Sequence, residues 1–90
     1  MLPFSPQRLA HGLAARIVQA GREVNFSEVS TDSRELRHGG LFVALQGDVP
    51  GERYFADALG AGALGLVGRH FDAGLRRQAA RVGAWLFQVL

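Results

Sequence analysis

The 90-residue chain contains no cysteine and no lysine. Without cysteine it has no disulfides and no thiolate metal ligands, which fits a cytoplasmic location. Without lysine it has neither a GxxxxGKS/T phosphate loop nor a Schiff-base nucleophile. No apolar run approaches the roughly 20 residues that cross a bilayer, so membrane insertion is not expected. The first residues also lack the apolar core of a signal peptide. The three histidines, His11, His38 and His70, lie far apart and without metal-ligand spacing. A triad built on Ser33 and Asp32 would need His38 or His70 folded back, and nothing in the pattern calls for that. Taken alone, the chain reads as a non-catalytic domain with no metal and no cofactor of its own.

All ten basic side chains are arginine, yet the formal net charge is only +2. A nucleic-acid-binding module would gather its cations on one face. Here they run from Arg8 to Arg81 among eight acids. The one tight cluster, Arg76, Arg77 and Arg81, falls on the expected outer face of a helix. No nucleic-acid partner is therefore expected, and a basic nucleic-acid-binding module stays only as the alternative from another class. The length suits one small domain, residues 1–90.

Along the chain, Ser5-Pro6 reads as the capped start of a helix reaching about Ala14, with Phe4 and Leu9 as a hydrophobic staple. Residues 17–18 and 24–26, split by Ala20-Gly21-Arg22, suggest a small hairpin. Val29 and Thr31 begin another strand. Residues 41–45 are wholly apolar between turn signals, as in a strand buried on both faces. A helix is expected over 53–60, a strand over 64–67, a helix capped by Asp72, and a strand over 84–90. Strand, helix and strand at this spacing form a right-handed parallel βαβ unit. The fold expected is α/β, a small mixed and mainly parallel sheet with flanking helices. Its core is expected to hold Phe42, Val43, Leu45, Phe55, Leu59, Leu66 and Val67.

The most informative stretch is 31–47. A hydroxyl at Ser33, an arginine at Arg34 and a glycine at Gly47 gather where buried strands end, which is where open α/β sheets bind ligands. Ser33 can accept or donate a hydrogen bond, and Arg34 presents a planar fork suited to phosphate oxygens. Gly47 lets backbone N–H groups approach a ligand, and Arg53 near a helix start adds positive potential. The alternative is purely structural: Asp32 and Ser33 cap a turn while Arg34 pairs with Glu35 or Asp48.

These residues resemble the N-terminal domain of the Mur ligases, ATP-dependent enzymes that extend the UDP-N-acetylmuramoyl peptide precursor of peptidoglycan. The motifs that carry the likeness are Thr31-Asp32-Ser33-Arg34, then Arg37-His38-Gly39-Gly40-Leu41-Phe42-Val43-Ala44-Leu45-Gln46-Gly47. Pro50-Gly51-Glu52-Arg53-Tyr54-Phe55 and Gly62-Ala63-Leu64-Gly65-Leu66-Val67 follow. The resemblance implies a domain that holds the UDP end of the precursor. It implies nucleotide contacts at Thr31, Ser33, Asp48, Val49 and Pro50, which Arg34, Gln46 and Gly47 complete as the expected substrate site. ATP and magnesium would belong to the parent enzyme rather than to this chain. The implied partners are the UDP-N-acetylmuramoyl-peptide and the central and C-terminal domains of the same ligase. Because the chain stops inside an apolar strand, it reads as the N-terminal fragment of such a ligase. The wording V-S-T-D-S-R is most like the D-alanyl-D-alanine-adding branch, with the diaminopimelate- or lysine-adding branch as runner-up. Three departures bear on the site: Gly40 and His38 replace the usual aspartate and proline, and the D-G-H-D-F stretch reads P-G-E-R-Y-F. The last leaves a further alternative, an interaction domain that keeps the fold and has lost the nucleotide site.

Overall fold

Ser5 caps the first helix as its sequence suggests: its hydroxyl accepts the Arg8 backbone N–H at 3.3 Å, and α1 runs over Pro6–Leu13. The computed structural model describes residues 4–45 and 50–90. Next come β1 (Arg16–Gln19), β2 (Val29–Ser30) and β3 (Leu41–Val43). A 3-10 turn (Gly51–Tyr54) leads into α2 (Phe55–Gly60), followed by β4 (Gly65–Gly68), α3 (Ala73–Val82) and β5 (Trp85–Gln88). The Asp72 carboxylate caps α3 by accepting the Leu75 N–H at 2.8 Å.

The five strands form one sheet in the order β1-β5-β4-β3-β2. The β2–β3, β3–β4 and β4–β5 pairs are parallel, and only β1 is antiparallel, against β5. The mixed, mainly parallel α/β sheet expected from the sequence is therefore the fold observed. Each βα unit steps in the same direction along the sheet, so right-handed crossovers place α2 and α3 on one face. Phe42, Leu66 and Leu86 point to that face and pack with Phe55, Leu59, Phe71 and Ala79. Phe55 meets Phe42 edge-on at 6.0 Å and stacks on Phe71 at 5.2 Å. Leu41, Val67, Trp85 and Phe87 point to the other face, with Ala10 of α1 and Phe26.

Four local expectations change. Residues 17–18 and 24–26 do not form a hairpin. β1 pairs with β5 instead, and Phe26 exchanges backbone hydrogen bonds with Phe4 in an isolated bridge. Apolar alternation at Val24 and Phe26 marks burial, and here the burial is against the sheet face: Phe26 is 1% exposed and meets Phe87 edge-on at 6.1 Å. The central strand is shorter than 41–45, so Leu45 is 57% exposed and lies outside the core, while Val43 is only half-buried. Both lie toward the strand end, where the Gly51 N–H donates to the Leu45 carbonyl at 2.8 Å. The other five expected core residues are buried. Thr31 falls beyond β2, because the Ser30 hydroxyl accepts the Asp32 N–H (3.0 Å) and donates to the Asp32 carbonyl (2.9 Å). That local bonding draws the chain out of the ladder. Finally, the helix expected over 53–60 begins as a 3-10 turn two residues earlier and becomes α-helical only at Phe55.

Phe42 lies beneath α2 at 1% exposure. Phe42→Ala should lower stability by about 3–5 kcal/mol, read from urea denaturation. A loss below about 1 kcal/mol would place the ring outside the core.

Candidate functional site

The carboxyl ends of β2 and β3 open onto a cleft of about 570 Å³, lined by Thr31, Asp32, Ser33, Arg34, Tyr54 and Asp57. One wall is the turn that follows β2. The other is the 3-10 turn and first turn of α2 that follow β3. The cleft thus occupies the position where parallel sheets bind ligands.

The β2 wall is built by its own side chains. Asp32 Oδ1 accepts the Arg34 backbone N–H at 2.9 Å, an Asx turn, and the Glu35 N–H donates to the Asp32 carbonyl at 3.1 Å. The same carboxylate grips the Arg34 side chain in a fork: Nε donates to Oδ1 at 3.1 Å and Nη2 to Oδ2 at 3.0 Å. The Asp32-capped turn of the structural alternative is therefore present, but Arg34 pairs with Asp32 rather than with Glu35, and Asp48 lies outside the described residues. The pair is exposed, and a screened surface pair adds little stability by itself. Its effect is orientation. Among the described residues two guanidinium donors are engaged, and the Nη1 edge is left for a ligand.

The hydrogen bonds from Arg34 hold the Asp32 carboxyl below its ordinary value, and the same bonds raise Arg34. Glu35 and Tyr54 add smaller electrostatic contributions to Arg34. Because the folded-state value of Asp32 is depressed, the clamp persists above the ordinary carboxylate range. It is lost as the pH falls through the lowered value.

The second wall hangs on Gly51. This residue is buried, and a Cβ there would lie 2.5 Å from the Leu45 nitrogen and 2.7 Å from Ala44 Cα. Backbone against backbone at this distance admits only glycine. The close approach ties the start of the 3-10 turn to the end of β3 and fixes where Tyr54 and Asp57 face. These two lie three residues apart and so share one side of the helical turn.

Of the residues expected at the site, the structure brings Thr31, Ser33 and Arg34 into the cleft. Pro50 is exposed and precedes the 3-10 turn without lining the cleft. Gln46, Gly47, Asp48 and Val49 lie outside the described residues. Arg53 faces a different hollow, with Glu52, His70 and Asp72. Tyr54 and Asp57 were missed from the sequence. The signal available was their three-residue spacing just after the strand that follows the D-S-R motif. Among the described residues, no group of three or more metal-ligating side chains gathers, and no helix is long and apolar enough to cross a membrane.

Comparison with known structures identifies the fold. The fold is that of the Mur ligase N-terminal domain. The chain superimposes on a crystal structure of MurF from Acinetobacter baumannii with a TM-score of 0.72 at 20% identity, covering 99% of this chain and 18% of that one. A second structure, UDP-N-acetylmuramoylalanyl-D-glutamyl-2,6-diaminopimelate--D-alanyl-D-alanyl ligase from the same organism, gives 0.68 at 22% identity, covering 99% and 19%. The sequence likeness points to the same branch. Over 50 residues the chain is 36% identical to the UDP-N-acetylmuramoyl-tripeptide--D-alanyl-D-alanine ligase of Rickettsia prowazekii (strain Madrid E), covering 56% of this chain and 11% of that protein. No family model matches. The chain is thus similar to a Mur ligase N-terminal domain of the MurF type, and it spans under a fifth of the length of these relatives.

Two outcomes test the site's construction. In Arg34→Ala, the Asp32 carboxyl should titrate at higher pH than in the parent chain, followed by its carboxyl carbon resonance. An unchanged midpoint would mean that the clamp does not form in solution. Gly51→Ala should destabilise the chain by at least about 1–3 kcal/mol, because a methyl group is forced against backbone. A neutral result in urea denaturation would contradict the close approach.

Proposed function

We propose that the chain is the substrate-recognition domain of a D-alanyl-D-alanine-adding peptidoglycan ligase and binds the UDP end of a UDP-N-acetylmuramoyl-peptide. The observation that carries this reading is the convergence of Thr31, Ser33 and Arg34 in one cleft at the carboxyl ends of β2 and β3. These are the residues on which the motif resemblance rests. The 36% identity to a D-alanyl-D-alanine ligase supports the choice of branch.

The chemistry suits a nucleotide. The hydroxyls of Thr31 and Ser33 can both donate and accept, as the mixed edge of uracil requires. Arg34, held by Asp32, offers its Nη1 edge to a phosphate oxygen, and a charge-assisted bond of this kind is worth about 1.5–3 kcal/mol. Asp48, Val49 and Pro50, which the resemblance assigns to the same site, belong to the proposal with Gln46 and Gly47 as its second set of contacts, although Pro50 itself does not line the cleft. The remaining domains of the ligase would hold the sugar and peptide, so the chain alone should bind weakly.

In this reading ATP and magnesium act on the parent enzyme. The residues present do not fit an ATP phosphate loop, which needs a lysine the chain lacks. No step of ligation is therefore assigned to them. The departure of Pro50-Gly51-Glu52-Arg53-Tyr54-Phe55 from the family wording favours the second reading, an interaction domain without a nucleotide site.

Titration with UDP, followed by backbone amide shifts, separates the two. Shifts should concentrate at 31–34 and 46–54, and Ser33→Ala or Arg34→Ala should weaken binding roughly tenfold. Shifts that avoid both segments would favour the interaction domain.

A further inference from the structure

We propose that Asp57 and Tyr54 read the nucleoside: the Asp57 carboxylate accepts the ribose hydroxyls while the Tyr54 ring lies against the base. The inference rests on the nucleotide-binding reading above and goes beyond it, since Asp57 lies outside the motifs that suggested a UDP site and Tyr54, within one of them, was given no contact there.

Charge decides the orientation. Asp32 and Arg34 cancel one another across the fork at 3.0 Å, which leaves Asp57 as the unbalanced charge among the described residues lining the cleft. A diphosphate seated against that carboxylate would meet like charge, so the phosphates belong at the outer Nη1 edge of Arg34. The part of the nucleotide that enters the cleft must instead bring neutral donors. Among the described residues, the Asp57 carboxylate has no ion-pair or hydrogen-bond partner of its own, so both oxygens are free to accept. A vicinal diol supplies two O–H donors to two carboxylate oxygens. The uracil edge suits a carboxylate less well, because its single N–H is flanked by two carbonyl oxygens that the carboxylate would repel.

Tyr54 supplies the apolar contact. It stands three residues before Asp57 on the same side of the turn and lines the cleft at 44% exposure, so its ring is accessible to a ligand seated there. A flat base against an aromatic face is a sequence-tolerant contact. The Thr31 and Ser33 hydroxyls on the opposite wall then select the base by its edge. Gly51 holds this wall in place through its approach to Ala44 and Leu45, so the reading residues sit on a fixed support.

The test compares UDP with its 2′,3′-dideoxy analogue by calorimetry or amide shifts, on the parent chain, Asp57→Ala, Tyr54→Leu and Tyr54→Phe. The parent should favour UDP roughly tenfold or more. Asp57→Ala should bring that ratio close to one, with its fold retained by circular dichroism. Tyr54→Leu should weaken both ligands by the same factor, and Tyr54→Phe should restore them. A parent chain that does not distinguish the two ligands overturns the proposal, as does an Asp57→Ala variant that keeps the preference. In either case the nucleotide-binding reading survives, because UDP still binds. Failure of the parent chain to bind UDP at all removes both.

Discussion

A mostly parallel sheet has to be covered on both faces, and this chain has helix enough for one. The α2–α3 layer closes the face that carries Phe42, Leu66 and Leu86. Across the sheet the one helix among the described residues is α1, eight residues long. The rest of that face is closed by the extended segment between β1 and β2, which passes over the sheet with Phe26 pressed into it. Room for the ring is made by Gly65 in β4: a Cβ there would stand 2.7 Å from Phe26 Cζ and equally close to Leu41 Cδ1. Bonds at both ends fasten the crossing. Phe4 and Phe26 exchange N–H···O bonds of 2.8 and 2.7 Å, and the Trp85 indole N–H donates to the Arg22 carbonyl at 2.7 Å.

The crossing also makes the site. β1 lies at one edge of the sheet and β2 at the other, so the segment over Phe26 carries the chain across the full width before β2 pairs with β3. Only then does the Thr31-Asp32-Ser33-Arg34 turn emerge beside the element that follows β3. Asp32 holds Arg34 on one wall, Gly51 anchors the other, and the cleft between them is a consequence of strand order. Two short devices, a carboxylate fork and a glycine contact, place side chains from two separate segments of the sequence.

Much of this was legible from residue order. Ser5 and Asp72 announce helix starts through side chains that bond their own helices, and such local chemistry survives into the fold. The βαβ step from β3 to β4 was visible because apolar strands and turn residues alternate at the right spacing. Val24 and Phe26 misled because alternating burial does not say what does the burying: a strand partner and a sheet face leave the same pattern. Leu45 misled because an apolar run does not reveal where its ladder stops. At the site, Thr31, Ser33 and Arg34 were identifiable by their chemistry and motif. Tyr54 and Asp57 face the cleft through the pitch of a turn whose start is set by a backbone contact at Gly51, and that contact has no signature before the chain is folded.

The most direct measurement is a crystal structure of the chain grown with UDP. The account predicts the nucleotide in the cleft between the 31–34 turn and α2, with the base against Tyr54, the ribose at Asp57 and a phosphate oxygen on Arg34. Nucleotide bound instead at the opposite end of the sheet, in the hollow lined by Arg22, His38 and Arg81, would contradict it.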